Sequence, residues 1–187
     1  ELTVTNSGDI DEYVRVTVSK YWLDTRTLPK NKKLEDLTEE ELAALCKLTD
    51  LSPALIDLNF LCDATGVSNG WLLDTQLTNS ELVNAVQPGE RTVLYYSRPL
   101  PAEGDGNTTP AFADTLRIDG SIASVVSQEK TTDGKFTTIV TTYKYNGVTF
   151  IIKAQVDAVQ THNAEDAILS AWGREVSIAE DGTLSLR

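Results

Sequence analysis

The stretch FTTIVTTYKYNGVTFIIKAQVDAV, residues Phe136–Val159, decides the fold because it contains two alternating runs separated by Asn146-Gly147. Alternation of apolar and polar side chains is the pattern of a β-strand with one buried face. Asn-Gly favours the positive φ angles of a two-residue type I′ hairpin turn. The stretch therefore predicts an antiparallel β-hairpin. Its second run should point Lys153, Gln155 and Asp157 to solvent and the alternate residues to the core, namely Val148, Phe150, Ile152, Ala154, Val156 and Ala158.

Both ends of the chain repeat this strand pattern. Near the N-terminus, a turn at residues 6–9 precedes a run in which Val14, Val16 and Val18 share one face. Near the C-terminus, Asp181-Gly182 separates two short apolar runs, which again predicts a hairpin. Many short strands with tight turns indicate an all-β sandwich of two antiparallel sheets, and not a fold of alternating strands and helices.

The main interruption of this pattern is a partly helical insertion at about residues 25–63. Thr38 followed by Glu41 forms a capping box. The acidic residues after Thr38 fill the first turn, where the helix dipole favours negative charge. We therefore expect a helix over about residues 39–47. Pro53 favours a second short helix just after it, because proline is well suited to the first turn of a helix.

Length and charge limit the class of protein. A chain of 187 residues with 41% hydrophobic content is shorter than the length at which cores usually split, so residues 1–187 should form a single domain. The 16 Lys+Arg and 28 Asp+Glu give a net charge of -12, which repels nucleic-acid phosphates and anionic lipid headgroups. No apolar run is long enough to span a bilayer. We expect no nucleic-acid partner and no membrane span, and we expect any export signal to have been removed.

Two cysteines, Cys46 and Cys62, both fall in the insertion. In an oxidising compartment a disulfide between them would close a loop of about fifteen residues, worth on the order of 3 kcal/mol. Two free buried thiols are the alternative, and the spacing does not match a zinc-binding motif. The pair is a disulfide candidate, with both interpretations open.

Three sequence blocks occur in a fixed order. The first is VTNSGDIDEYVRV at residues 4–16, and the second is YYSRPL at residues 95–100, leading to NTTPAF at residues 107–112. The third is AQVDAVQ at residues 154–160, which closes with Ala171-Trp172. In content and order the blocks resemble the TasA/camelysin family of exported Gram-positive proteins. The resemblance implies a jelly-roll β-sandwich that is secreted and lies in the biofilm matrix or at the cell surface.

The same resemblance implies a structural function without catalysis or cofactor. In fibre-forming members, a strand of one subunit inserts into the sandwich of the next, which is β-strand addition. We therefore expect self-association, or association with other matrix or surface proteins. The alternative is an extracellular adhesin-like or ligand-binding module that uses the insertion and the loop at residues 104–107, because loops on a rigid sandwich commonly carry binding.

Camelysin itself has been classed as a metalloprotease, so catalytic groups have to be considered. A catalytic zinc normally takes three protein ligands, often two histidines one helical turn apart. This chain has one histidine, His162, without an HExxH arrangement. We expect it to cap or flank a helix over residues 163–172. The sequence also lacks a GxSxG nucleophile elbow, so we expect no catalytic residues. A camelysin-like protease is only an outside alternative, which chelator-sensitive casein cleavage would identify.

Calcium is the metal ion that acidic loops could bind, since Ca²⁺ takes several oxygen ligands. The two sets of candidate residues match no known loop consensus, and solvated turn residues are the simpler interpretation. The candidates lie in the first turn and in the Gly-rich loop: Asp9, Asp11, Glu12, Asp105 and Asn107.

The aromatic side chains also allow two interpretations. They could form a platform for a sugar, because an aromatic ring offers a large apolar face with a polar edge. The platform candidates are Trp22, Tyr95, Tyr96 and Trp172. Packing in the core is the favoured interpretation, since three of them lie in the blocks that resemble the family, where strand packing is the usual role. Trp71 likewise has the position of a buried strand start.

Overall fold

The computed structural model describes residues 1–47, 51–78, 90–120, 125–133, 136–143 and 148–187. Its α-helices are α1 (Glu39–Lys47) and α2 (Ala164–Trp172), and two 3-10 turns cover Leu34–Asp36 and Pro53–Leu55. These residues form an all-β fold with short helices, as the sequence predicts. The strands are β1 (Glu12–Asp24), β2 (Ile56–Phe60), β3 (Trp71–Leu73), β4 (Glu90–Tyr96), β5 (Ala113–Ile118), β6 (Val125–Asp133), β7 (Phe136–Tyr143), β8 (Val148–Gln160), β9 (Val176–Ile178) and β10 (Leu184–Leu186).

Six of the strands form one antiparallel sheet in the order β3-β4-β1-β8-β7-β6. At its centre β1 pairs with β8 along the full length of both strands, from Glu12 opposite Gln160 to Asp24 opposite Val148. Two smaller antiparallel sheets are formed by β2 with β5 and by β9 with β10. The long β1–β8 pair is therefore the centre of the six-stranded sheet, and the other strands of that sheet lie on either side of it.

The hairpin predicted from Phe136–Val159 is present as the antiparallel pair β7–β8. Its predicted turn, Asn146-Gly147, lies outside the described residues. The strands pair with Thr142 opposite Thr149, whereas an undistorted two-residue turn at that dipeptide would place Thr142 opposite Ile151. The predicted pairing is confirmed, and its register differs from the expected one by two residues.

The main core lies between one face of the six-stranded sheet and the β2–β5 sheet. Val14, Val16 and Val18 are buried in it, as predicted. From β8, the core takes Phe150, Ile152 and Ala154, with Val148 and Val156 partly buried beside them. Ala158 is the exception to the prediction, because it is exposed. β7 covers β8 only as far as Gln155, so Ala158 has β1 beside it but not β7.

The opposite face of the sheet is covered as well, which the alternating pattern does not indicate. At one end, Tyr21 and Ile151 pack with α1 in a cluster that contains Cys46. At the other end, α2 and the β9–β10 hairpin cover Tyr13 and Tyr95. The central strands are therefore buried on both faces over part of their length, so apolar residues occur there at positions expected to face solvent.

The helices follow the sequence predictions in part. Helix α1 has the predicted bounds, and its capping box is formed: the Glu41 amide donates to Thr38 Oγ1 at 3.2 Å, and the Thr38 amide donates to Glu41 Oε2 at 2.9 Å. The second predicted helix is wrong in extent, since it is only the turn Pro53–Leu55 before β2 begins. β2 packs in the main core, so the last part of the predicted insertion is a core strand. Neither helix in the described ranges is long and apolar enough to cross a membrane.

Candidate functional site

The three sequence blocks meet at one partly buried cluster, which we call the Arg15 cluster: Arg15, Tyr95, Asp157 and Trp172. The register of the sheet explains the meeting, because Arg15 on β1 lies directly opposite Tyr95 on β4 and Asp157 on β8. Arg15 Nη2 is 2.9 Å from Asp157 Oδ2, and its guanidinium lies 5.1 Å from the centre of the Trp172 ring. The rings of Tyr95 and Trp172 have centroids 5.7 Å apart. Strand pairing, an ion pair and a cation–π contact thus join all three blocks.

The polar groups of this cluster differ in exposure, because the side chains of Arg15 and Asp157 are 13% and 21% exposed. Tyr95 is fully buried, and burial, followed by the charge of Asp74, raises its pKa to about 12. Its hydroxyl has no hydrogen-bond partner among the described residues, and neither does Arg15 Nε. Beside it, Arg174 Nε donates to Asp74 Oδ2 at 3.0 Å in a second buried ion pair. The contacts of this cluster therefore hold β1, β4, β8 and α2 together.

The structure places His162 on the surface, immediately before α2. Its Nε2 lies 3.4 Å from Asn163 Nδ2, so the side chain flanks the helix, which was one of the two expected positions. Within the described ranges, no three His, Cys, Asp or Glu side chains come close enough together to hold a metal ion. The part of the chain that the structure describes therefore contains no zinc site of the metalloprotease type.

The two loops that carry the calcium candidates are neighbours, but their polar groups serve the fold. Asp11 Oδ1 accepts a hydrogen bond from the Ala102 amide at 3.0 Å, and the Asn107 carbonyl accepts one from the Asn6 amide at 2.8 Å. The backbone of Glu12 pairs with Leu100. Asp9 and Asp105 are exposed. Calcium binding by these residues stays a prediction.

Both cysteines are free thiols in the structure. Cys46 packs with Tyr21 and Ile151 on the helical side of the sheet, whereas Cys62 packs against the main core on the other side. Burial raises the pKa of Cys46 to about 12, and burial with the charge of Asp63 raises the pKa of Cys62. The candidate disulfide is therefore not formed, because the two thiols belong to cores on different faces of the sheet.

Most of the aromatic residues pack in the interior, as the sequence favours. Trp22 and Trp71 belong to the main core, and Tyr95 and Trp172 belong to the cluster around α2. Tyr96 is the exception, because it is only partly buried. Its ring lies against Trp71 with a centroid distance of 5.3 Å.

Two adjoining open grooves lie beside Tyr96 and share Arg98 and Thr183; together we call them the Arg98 groove. The first, of about 470 Å³, is lined also by Asp11, Pro99, Pro101 and Asp181. The second, of about 510 Å³, includes Thr65, Val67, Gly70, Ser97 and Pro110. Sequence reasoning missed this groove, because its walls come from segments that are far apart in the chain, mainly residues 65–70, 96–101 and 181–183.

Comparisons with known proteins identify no family for this chain. No protein-family model matches the sequence, no curated protein matches it, and no solved structure matches it. Membership of the TasA/camelysin family stays a prediction from the sequence blocks.

Proposed function

We propose that this chain is a secreted, non-enzymatic structural protein of the cell surface or biofilm matrix, and that it assembles by β-strand addition. The observation that carries the proposal is the open edge of β5. Within the described residues, one edge of β5 pairs with β2, and on the other edge only Ala113 is paired, with Leu2. Among the described residues, the second edge of residues 114–118 therefore has no paired strand, which is the geometry that strand addition uses.

An added strand would also cover apolar surface. Leu116 and Ile118 are partly buried and pack against the main core. The β2–β5 sheet has two strands in the described part of the chain, whereas the sheet that faces it has six. A strand added to β5 would widen the smaller side of the sandwich. We also propose that the six-stranded sheet and the widened β2–β5 sheet together form a jelly roll.

The two edges of the large sheet are less suitable for strand addition. The edge strand β3 has only three residues, so it offers little backbone. The other edge strand, β6, is longer but exposes Gln128, Glu129 and Lys130. Short strands and charged side chains are two ways in which proteins protect sheet edges from pairing. β5 also carries the exposed charged residues Asp114 and Arg117, so β5 is favoured over β6 by the apolar surface of Leu116 and Ile118 that an added strand would cover.

Electron microscopy of negatively stained protein at increasing concentration tests this assembly. We expect filaments from the unchanged chain, and we expect Thr115→Lys on β5 to abolish them, because a lysine on a sheet edge opposes pairing. Thr131→Lys on the edge strand β6 is the matched control and should leave the filaments unchanged. Monodisperse particles from the unchanged chain at every concentration would refute assembly by this chain, and equal effects of the two variants would refute the choice of edge.

A second candidate function, an extracellular ligand-binding module, is favoured by the Arg98 groove. Each half of the groove falls within the range of about 300–1,000 Å³ that is typical of small-molecule sites. It lies apart from residues 104–107, where the sequence placed binding, although it adjoins the same loop through Pro101 and Pro110. Saturable binding of a ligand by protein that forms no filaments would favour this function over the structural one.

A further inference from the structure

We propose that the Arg98 groove binds a neutral oligosaccharide. The inference deepens the ligand-binding alternative by naming the class of ligand, and it does not depend on strand addition. It rests on the rigidity of the groove walls, on the mixture of groups that line them, and on the position of Tyr96.

The loop that forms one wall of the groove is held in a fixed conformation. The carboxylate of Asp63 accepts hydrogen bonds from the amides of Thr65 at 2.6 Å and Ser68 at 2.9 Å. The side chain of Thr65 and the amide of Ser68 hold the pKa of Asp63 well below its usual range. Farther along, Asn69 Nδ2 donates to the Ala111 carbonyl at 2.7 Å, which ties this loop to the Pro110 segment.

The remaining walls are fixed by backbone hydrogen bonds to the same region. The Ser97 amide donates to the Gly70 carbonyl at 2.8 Å, and the Leu184 amide donates to the Ser97 carbonyl at 2.7 Å. The hydroxyl of Tyr13 donates to the Gly182 carbonyl at 2.6 Å, which anchors the turn that carries Asp181. A preformed site loses less conformational freedom on binding than a flexible one does. The fixed walls therefore lower the conformational cost of binding a ligand in this shallow groove.

The charges in the groove argue against anionic ligands. Arg98 is exposed, and its charge contributes to the lowered pKa of Asp181, after the Thr183 hydrogen bonds. Asp11 lines the same half of the groove. The two carboxylates and the overall charge of -12 repel phosphate and other polyanions. A neutral ligand avoids this repulsion.

The hydrogen-bonding groups suit a ligand with many hydroxyls. Thr65, Ser97 and Thr183 line the groove. The hydroxyl of Thr65 donates to Asp63 Oδ1 at 2.6 Å, so it offers a ligand an acceptor, and Ser97 is largely buried. A hydroxyl that is not engaged in this way can both donate and accept. Arg98 supplies a planar set of donors, and the carboxylate of Asp181 accepts hydroxyl donors. The apolar walls are small, so a ligand that depends on deep apolar burial would gain little here. Sugars present this combination of alternating donors and acceptors around a compact ring.

Tyr96 and Val67 supply the apolar contact that a sugar ring also needs. Trp71 supports the Tyr96 ring from the core side, and Tyr96 lines the groove. Val67 is 84% exposed, which is unusual for an apolar side chain in the described residues. The C–H face of a sugar ring can pack against an aromatic ring of this kind, because the face of the ring carries negative charge density.

Isothermal titration calorimetry on the unchanged chain tests the inference, with chitohexaose, cellohexaose and laminarihexaose as the probes and inorganic polyphosphate as an anionic comparison. We expect saturable binding of at least one oligosaccharide. Arg98→Ala should weaken it at least about tenfold, because a hydrogen bond to a charged group is lost and tenfold corresponds to about 1.4 kcal/mol. Arg117→Ala is the matched control, since Arg117 is also exposed but lies on β5, and it should leave the affinity unchanged.

Three outcomes would overturn the inference: no oligosaccharide binds, polyphosphate binds more tightly than every oligosaccharide, or Arg98→Ala and Arg117→Ala have the same effect. The first of these leaves strand addition untouched, since filament formation is measured separately. Binding of an oligosaccharide that is unaffected by Arg98→Ala would show a ligand-binding module whose site lies elsewhere. Failure of this site is thus distinguishable from failure of the ligand-binding function and from failure of assembly.

Discussion

Alanine substitution of two glycines tests whether Gly70 is required by close packing as well as by its backbone angle. Gly70 and Gly104 have nearly the same φ, +85° and +86°. A Cβ on Gly70 would lie 2.8 Å from Cε2 of Tyr96, whereas a Cβ on Gly104 would meet nothing within 4 Å. The pair therefore separates the cost of the backbone conformation from the cost of the steric contact.

The two costs can be worked out from the structure. A residue with a Cβ at such a φ costs roughly 1–2 kcal/mol, and both variants share this term. The contact with Tyr96 adds about 1–3 kcal/mol at Gly70, the usual cost of forcing extra volume into a packed site. Tyr96 cannot move away freely, because its ring lies against the fully buried Trp71. We expect Gly104→Ala to lower the free energy of unfolding by about 1–2 kcal/mol and Gly70→Ala by about 2–5 kcal/mol.

Urea unfolding, monitored by tryptophan fluorescence and by circular dichroism, measures both values, and agreement of the two probes checks that unfolding is two-state. Adding Tyr96→Leu to Gly70→Ala should recover part of the extra loss, because the shorter side chain leaves room for the new methyl group. Losses for the two glycine variants that agree within about 0.5 kcal/mol would refute the steric argument. The walls of the Arg98 groove would then be less closely packed than the structure indicates.

Three further predictions concern buried polar groups. Asp74→Asn should lower the free energy of unfolding by about 3–5 kcal/mol in urea titrations, because it leaves Arg174 buried without its charge partner; a loss below 1 kcal/mol, the value of an exposed pair, would contradict this. Lys20→Met should cost about 1–3 kcal/mol in the same assay, since the variant removes an ammonium that donates to the Ile56 carbonyl at 2.5 Å and lies 2.9 Å from Glu90 Oε2; an unchanged midpoint would count against it. The free energy of unfolding should also fall as the pH rises from about 10 to about 12, because Tyr95 keeps its proton in the folded state after it has lost the proton in the unfolded chain. Tyr95→Phe should make the free energy of unfolding less dependent on pH in this range. An equal pH dependence in both proteins would contradict the raised pKa of Tyr95.

The sequence predicts those parts of the fold that depend on neighbours along the chain. Helix α1 follows from a capping box whose two partners are three residues apart, and the core face of β8 follows from alternation within one strand. β2 is mispredicted because Pro53 favours a helical turn locally, while Ile56 and Leu58 gain more by burial in the main core. The covering of the second sheet face could not be predicted, since it depends on where α1 and α2 dock after the sheet has formed.

The candidate sites likewise depend on contacts between distant segments, which the sequence does not predict. Free cysteines were one of two open interpretations, and the choice between free thiols and a disulfide depends on which face of the sheet each thiol packs against. The Arg98 groove joins residues 65–70, 96–101 and 181–183, and no pattern within one of these segments indicates the other two. The calcium candidates were chosen for their oxygen atoms alone, and the structure shows that Asp11 and Asn107 use theirs to join the N-terminal turn to the loop opposite.

The position of the Arg15 cluster decides what the three sequence blocks can say about function. Each block contributes a residue to it, and the contacts among Arg15, Tyr95, Asp157 and Trp172 are buried or partly buried. Contacts of this kind constrain the residues through packing, so the blocks carry information about how β1, β4, β8 and α2 fit together. A shared fold can serve many functions, and function resides in sites on the fold. We therefore propose that the function depends on the β5 edge and the Arg98 groove, and the two pairs of variants designed for them separate assembly from ligand binding.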